Sequence, residues 1–164
     1  MIKRFLILFT AALILIQFIH PKENRSVSIS PNDITNKFQV SPQVLSLLKN
    51  SCYDCHSNNT NYPWYNYVQP IAWWLQYHVN EGKSELNFSE FGGYSAKKQY
   101  HKLKSIVESQ RDNWMPLGIY RWLHRDAALS DSQKLLISGW ADSLAQKIKV
   151  ENNISIEEGH KMIY

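Results

Sequence analysis

Two cysteines, the only ones in the 164-residue chain, stand two residues apart with a histidine directly behind them: Cys52-Tyr53-Asp54-Cys55-His56. No other feature restricts the fold as tightly, because three reactive side chains within five residues must serve one small site. The pattern is that of c-type haem attachment. Two thiols at this spacing match the two vinyl groups on one edge of the macrocycle, and the adjoining imidazole then lies beneath the iron as proximal ligand. The expectation is one covalent haem c, with Cys52 and Cys55 as its attachment points and His56 on the metal. Three other chemistries use the same residues. A thioredoxin-type dithiol expects alternating strands and helices, which the sequence lacks. A zinc site needs further ligands, which His78, His101 or His124 could supply, but no second Cys pair or His-x-x-x-His accompanies the motif. A disulfide between cysteines so close would close a trivial, strained loop.

A haem leaves a sixth coordination position to be filled. Of the three methionines, Met1 starts the chain and Met162 lies in a polar tail, which leaves Met115. It comes 59 residues after His56, ahead of Pro116, in a stretch read as a loop between two helices. A thioether offered from irregular backbone suits axial ligation, and His/Met ligation raises the potential of the iron. The competing role for Met115 is gap-filling in a core. His78, on the apolar side of a predicted helix, is the next candidate ligand. His101 and His124 read as surface or hydrogen-bonded residues. Aromatic residues crowd both sites, with Trp64 soon after the cysteines and Trp114 beside the methionine. These two rings are the candidates to pack on the haem, against the alternative of ordinary core packing.

The first twenty residues differ in kind from the rest. Lys3 and Arg4 precede a run from Phe5 to Ile19 that is apolar apart from Thr10 and Gln17. Fifteen residues are fewer than the ~20 of a full membrane span but suit the apolar region of an export signal. The bulky Ile16-Gln17-Phe18-Ile19 offers no small-residue cleavage site. The expectation is an uncleaved signal anchor over residues 1–20, with residues 5–19 as the membrane tether; a cleaved leader on a soluble periplasmic protein is the alternative. The positive-inside rule puts the remainder outside the cytoplasm. Setting Lys3 and Arg4 aside leaves 16 basic residues against 14 acidic, without the concentrated basic face of a nucleic-acid binder.

Residues 21–39 read as a polar linker, 40–150 as the folded domain and 151–164 as a polar tail. Ser41-Pro42 starts a helix carrying Val44, Leu45, Leu47 and Leu48 straight into Cys52. A second helix is expected from Pro70 to about Glu81, stopping at Gly82, with Ile71, Trp74, Leu75 and His78 on one side. A third spans Ser95 to about Gln110, with Tyr100, Leu103 and Val107 at helical spacing. The last is capped by Ser130 and carries Leu136, Trp140, Leu144 and Ile148 at intervals of four. Segments 58–70 and 82–94 read as loops. No stretch alternates as a strand does, so the expected class is all-α.

Several short runs together resemble the bacterial cytochrome c-like haem-binding domain family. They are Ser51-Cys52-Tyr53-Asp54-Cys55-His56-Ser57-Asn58, Tyr62-Pro63-Trp64-Tyr65, Glu81-Gly82-Lys83 with Leu86-Asn87-Phe88-Ser89, Met115-Pro116-Leu117 with Tyr120, and Leu123-His124. The likeness covers roughly residues 40 to 145. It implies a small cytochrome c-like helical domain wrapped around one haem, with Cys52 and Cys55 attached, His56 proximal and Met115 distal. It also implies a place on the periplasmic side of a Gram-negative inner membrane. Arg125-Asp126 departs from the commoner Pro-Glu after the histidine and touches no ligand. The expected function is single-electron transfer with redox partner proteins of the periplasm or inner membrane, a carrier rather than a catalyst. The alternatives are a haem peroxidase or gas sensor with an open sixth site, and a haem-carrying subunit of a larger membrane complex. Fold alone does not choose among these.

Overall fold

Every regular element among residues 1–155, the residues that the computed structural model describes, is a helix or a 3-10 turn, and none is a strand. In chain order they are α1 (Ile2–Ile16), α2 (Ile34–Lys37), α3 (Pro42–Ser51), α4 (Tyr53–His56), α5 (Ile71–Glu85), α6 (Ala96–Arg111), α7 (Gly118–Leu123) and α8 (Asp131–Glu151). Three 3-10 turns, Trp64–Tyr67, Phe88–Gly93 and Arg125–Ala127, lie between them. The all-helical expectation is met. Part of the expected tail, residues 156–164, lies outside the described residues.

The helix starts follow local hydrogen-bonding chemistry. Ser41 Oγ accepts from the Val44 amide, with Pro42 in the first turn. Ser95 caps α6 through Lys98. Ser130 and Gln133 form a reciprocal capping box on α8. Each arrangement satisfies amides that a helix end would otherwise leave without partners.

The core forms where α6 runs along α8, with α3 packed against α8. Leu103, Ile137, Ala141 and Ala145 are fully buried there. The buried stripe of α8 is Ile137, Ala141, Leu144, Ala145 and Ile148; it contains the predicted Leu144 and Ile148 but takes Ile137 and Ala141 in place of Leu136 and Trp140. Leu136 is exposed, and Trp140 only flanks the core. An apolar stripe wider than the buried face leaves the sequence ambiguous about which edge turns inward.

Two expected irregular segments contribute to this core. Phe88 and Phe91, in the stretch read as the 82–94 loop, are among the most deeply buried side chains. They sit one 3-10 turn apart, too short a run for any periodicity to show. In the segment read as a linker, Asp33 caps α2 through the Thr35 amide, and Ile34 is wholly buried. The Asn32 carbonyl accepts the Gly92 amide at 2.8 Å, which joins this segment to the Phe88–Gly93 turn. The packed unit therefore starts before the expected Val40.

The second helix also differs. It continues through Gly82 to Glu85 and buries Ala72, Leu75, Gln76 and Val79, while Ile71 and Trp74 are exposed. At the N-terminus, α1 has 15 residues, none of them buried. Its length of roughly 22 Å falls short of the about 30 Å of a bilayer's hydrocarbon. No described helix is long and apolar enough to cross a membrane, so α1 alone does not provide the expected spanning anchor.

Candidate haem site

Helix α3 delivers the chain to the cysteine turn. Cys52 ends α3, its amide on the Leu48 carbonyl at 2.8 Å, and begins α4, its own carbonyl accepting from the His56 amide at 2.9 Å. Tyr53 stacks on the buried Phe88 with ring centroids 5.1 Å apart, and this fixes the turn to the core. Cys52, Cys55 and His56 thus come from a single turn of backbone, and both thiols are unpaired and partly buried.

Burial pushes the Cys52 thiol up to about 12 and the Cys55 thiol up to about 11, with smaller contributions from Cys55 and Asp54 respectively. Thiols held protonated in this way lack the depressed pKa of a reactive redox dithiol. Among the described residues no group of three or more His, Cys, Asp or Glu is placed to hold a metal ion.

The His56 ring is oriented by the backbone. Its Nδ1 lies 3.0 Å from the Leu86 carbonyl oxygen. A carbonyl only accepts, so Nδ1 carries the proton and donates it, and Nε2 keeps a free lone pair. Burial lowers the imidazole pKa, partly opposed by hydrogen bonding to Leu86. A neutral ring with one nitrogen anchored and the other free is the state a metal ligand requires.

Helix α5 packs closely behind this turn. A Cβ on Gly82 would lie 2.6 Å from the Cys55 carbonyl oxygen and 2.9 Å from the Cys55 Cβ. Glycine here permits backbone contact between α5 and α4 rather than ending a helix.

The residue between the cysteines ties the turn to distant segments. Asp54 Oδ2 accepts from the Tyr120 hydroxyl at 2.7 Å, Oδ1 from the Asn61 amide at 3.1 Å, and the Asp54 carbonyl from Thr60 Oγ1 at 2.6 Å. Tyr120 stacks on His124 at 4.5 Å, and His124 Nε2 is 2.7 Å from the Tyr65 hydroxyl. Burial, then the Asp54 contact, raises the Tyr120 phenol pKa. Asp54, Cys55, Tyr65, Leu75, Tyr120 and His124 help line a cavity of about 10 Å³, room for about one water.

A strap from the N-terminal side closes over the loop that follows His56. The Asn24 amide donates to the Tyr62 hydroxyl oxygen at 2.6 Å, and its Nδ2 donates to the Ser57 carbonyl at 2.9 Å and Thr60 Oγ1 at 3.0 Å. The Asn24 carbonyl accepts from the Thr60 amide at 3.0 Å, and Oδ1 accepts from Lys83 Nζ at 2.5 Å.

The other expected site residues lie on the two segments that this network gathers. Met115 is half-buried between α6 and α7, with its carbonyl 3.5 Å from Gln110 Nε2. Trp114 beside it is 41% exposed. Trp64, 77% exposed, meets Tyr65 edge-on at 5.9 Å. His78 lies against Trp74 and Tyr77, and His101 against Tyr100. The pairs Tyr120–Asp54 and Tyr65–His124 connect the Met115 side and the Trp64 side to the cysteine turn.

The sequence reading missed Leu86, Gly82 and Asn24 as site-building residues. Gly82 and Leu86 belong to runs that carry the family resemblance, a usable signal. Asn24 has none.

These residues fit a haem. Two unpaired thiols share a turn with an imidazole whose Nδ1 is anchored on the Leu86 carbonyl. Nearby segments expose Trp64, Trp114 and Trp122, broad apolar rings of the sort a flat macrocycle covers. The fold and this donor set define a small all-helical haem protein. In agreement, the model of the Haem-binding domain family matches residues 11–143, and the chain belongs to that family. No curated protein and no solved structure matches the chain. Membership of the family gives the chain a haem cofactor, and the matched stretch includes the Asn24 strap as well as the cysteine turn.

Proposed function

We propose that the protein is a cytochrome c-like one-electron carrier holding one haem c through thioether bonds to Cys52 and Cys55. His56 Nε2 and the Met115 sulfur would hold the iron, and the haem would supply an Fe(III)/Fe(II) couple. One observation carries this reading: the Nδ1–H of His56 is committed to the Leu86 carbonyl directly behind two unpaired thiols. That contact holds the ring in one tautomer and orientation as the electron moves, which keeps reorganisation small. Raised thiol pKa values keep Cys52 and Cys55 protonated before attachment, and packing by Gly82 and Tyr53 fixes the turn on which they sit. Trp64 and Trp114 would pack on the haem and exclude water from it, and a thioether ligand would raise its potential.

The apolar segment 5–19 holds the domain at the periplasmic face of the inner membrane, close to redox partner proteins. The full chain, expressed with haem-attachment machinery, should keep its haem through denaturing electrophoresis and give a c-type pyridine haemochrome. The reduced protein should show the sharp α band of low-spin iron and titrate reversibly. In Met115→Ala the long-wavelength sulfur-to-iron band should vanish and the potential fall. A spectrum and potential unchanged by that substitution would remove Met115 from the iron, and haem lost on denaturation would overturn covalent attachment.

A further inference from the structure

Two long stretches of the chain carry no Asp, Glu, Lys or Arg: Phe5 to Pro21, and Cys55 to Asn80. In a chain with 20% charged residues, uncharged runs of this length are what a core or a lipid surface would select. The structure brings the two together. Gln17 Nε2 donates to the Gln69 carbonyl at 3.2 Å, and the Gln69 amide returns a bond to Gln17 Oε1 at 2.9 Å. Gln69 Nε2 and Trp73 Nε1 both donate to the Ile19 carbonyl, at 2.9 and 3.0 Å. The end of the apolar leader is therefore fastened to the start of α5.

Around this junction the large apolar side chains face outward. Tyr67 is 65% exposed, Ile71 42%, Val68 40% and Trp73 36%. The opposite side of α5 is occupied, since Ala72, Leu75 and Val79 are buried. Helix α1 has no buried residue either, so the uncovered surface runs from α1 through Ile19 onto α5.

We propose that the face formed by Tyr67, Val68, Ile71 and Trp73 is a membrane-seating surface that rests at the headgroup–acyl boundary of a lipid bilayer where α1 ends. The proposal rests on the reading of segment 5–19 as membrane-associated and extends it from a tether to an oriented seat. Three features favour lipid as the occupant. The face is continuous with a helix that is exposed and, from Phe5 to Leu15, apolar apart from Thr10. Its composition is Tyr and Trp with aliphatic residues and no formal charge, which suits the interfacial zone. The Trp73 indole proton and the Gln69 amide satisfy the Ile19 carbonyl where the chain leaves the helix, so little backbone is left to be solvated as it passes into lipid. The short α1 is consistent with this seat: a helix of roughly 22 Å reaches less than the whole hydrocarbon layer, and the domain then sits close against the membrane rather than standing off on a linker. Because α5 bears the lipid face on one side and packs Gly82 on Cys55 on the other, seating would also fix the orientation of the haem site relative to the bilayer.

The test is photo-crosslinking of the full chain in phosphatidylcholine vesicles doped with a phosphatidylcholine that carries a diazirine near its headgroup. Lipid adducts are mapped by mass spectrometry. The expected result is adducts within α1 and on the Tyr67–Trp73 segment, with none on Leu135 or Val150, which are equally exposed on α8. In the Tyr67→Glu, Ile71→Glu double variant, adducts on the α5 segment should drop several-fold while those on α1 persist. Adducts on α1 alone would overturn the seat and leave the tether standing; adducts on neither would overturn both. Adducts on the segment only in haem-free chain would give the face to the haem, and chain-to-chain crosslinks there would give it to a second copy, each overturning the proposal. Haem attachment is scored separately by pyridine haemochrome on the same samples.

Discussion

One half of this molecule is closed and the other is open. Where α6 meets α8 the usual inside-out logic holds: Leu103, Phe88 and Ile137 are buried among the aliphatic residues of the main core. In the segments 64–77 and 114–123 that logic reverses. Five of the six tryptophans, Trp64, Trp73, Trp74, Trp114 and Trp122, are at least 36% exposed. Tryptophan is rarely left this open in a chain that has finished burying its apolar surface. The closed half is stabilised by its own side chains. The open half is organised by hydrogen bonds around Asp54 and Asn24, and it leaves several large rings exposed.

The comparison can be broken at either end. The largest effect is expected in the open half: Cys52→Ser with Cys55→Ser should abolish covalent haem altogether in a denaturing-gel haem stain, while circular dichroism still shows a helical chain. A helical signal lost together with the haem would mean that the closed half cannot stand by itself. Next, Leu103→Ala in the closed half should cost about 2–5 kcal/mol, read as a lower urea midpoint. A smaller cost there would mean that the α6–α8 contact is not the main source of stability.

Gly82→Ala probes the seam between the halves. Its Cβ must displace the Cys55 backbone, so a loss of about 1–3 kcal/mol is expected, together with a lower yield of attached haem. A fall in stability with normal haem yield would confine Gly82 to packing. The smallest effect belongs to Trp64→Ala, because the ring is 77% exposed. In haem-free chain it should change stability by less than about 0.5 kcal/mol, whereas with haem bound it should lower the potential as water reaches the macrocycle. A large cost in haem-free chain would show that Trp64 is holding protein against protein.

Legibility in the sequence followed the same division. Helix starts at Ser41, Ser95 and Ser130 were readable because capping is settled within four residues. Tyr100 and Leu103 were readable because they stand three residues apart, a helical spacing, on an otherwise mostly polar helix. On α5 the helix and its buried Leu75 were readable, but the rest of its buried face was not. Ile71 and Trp74 look like core by hydrophobicity, but the buried stripe is Ala72, Leu75, Gln76 and Val79. A helix that is apolar most of the way round does not announce which side meets protein. Gly82 was misread for a related reason: glycine signals both a helix stop and a close approach, and only the position of α4 decides between them.

What the sequence determined by itself is the cysteine turn. Cys52, Cys55 and His56 lie within five residues, so chain geometry alone brings two thiols and an imidazole to one place, whatever the rest does. The tertiary structure decided how that turn is held: the Leu86 carbonyl on His56 Nδ1, Gly82 against Cys55, Tyr120 on Asp54, and Asn24 reaching across from an unremarkable polar stretch. Those partners are 27 to 66 residues apart along the chain. Their meeting depends on where the helices pack, and no local spacing encodes that.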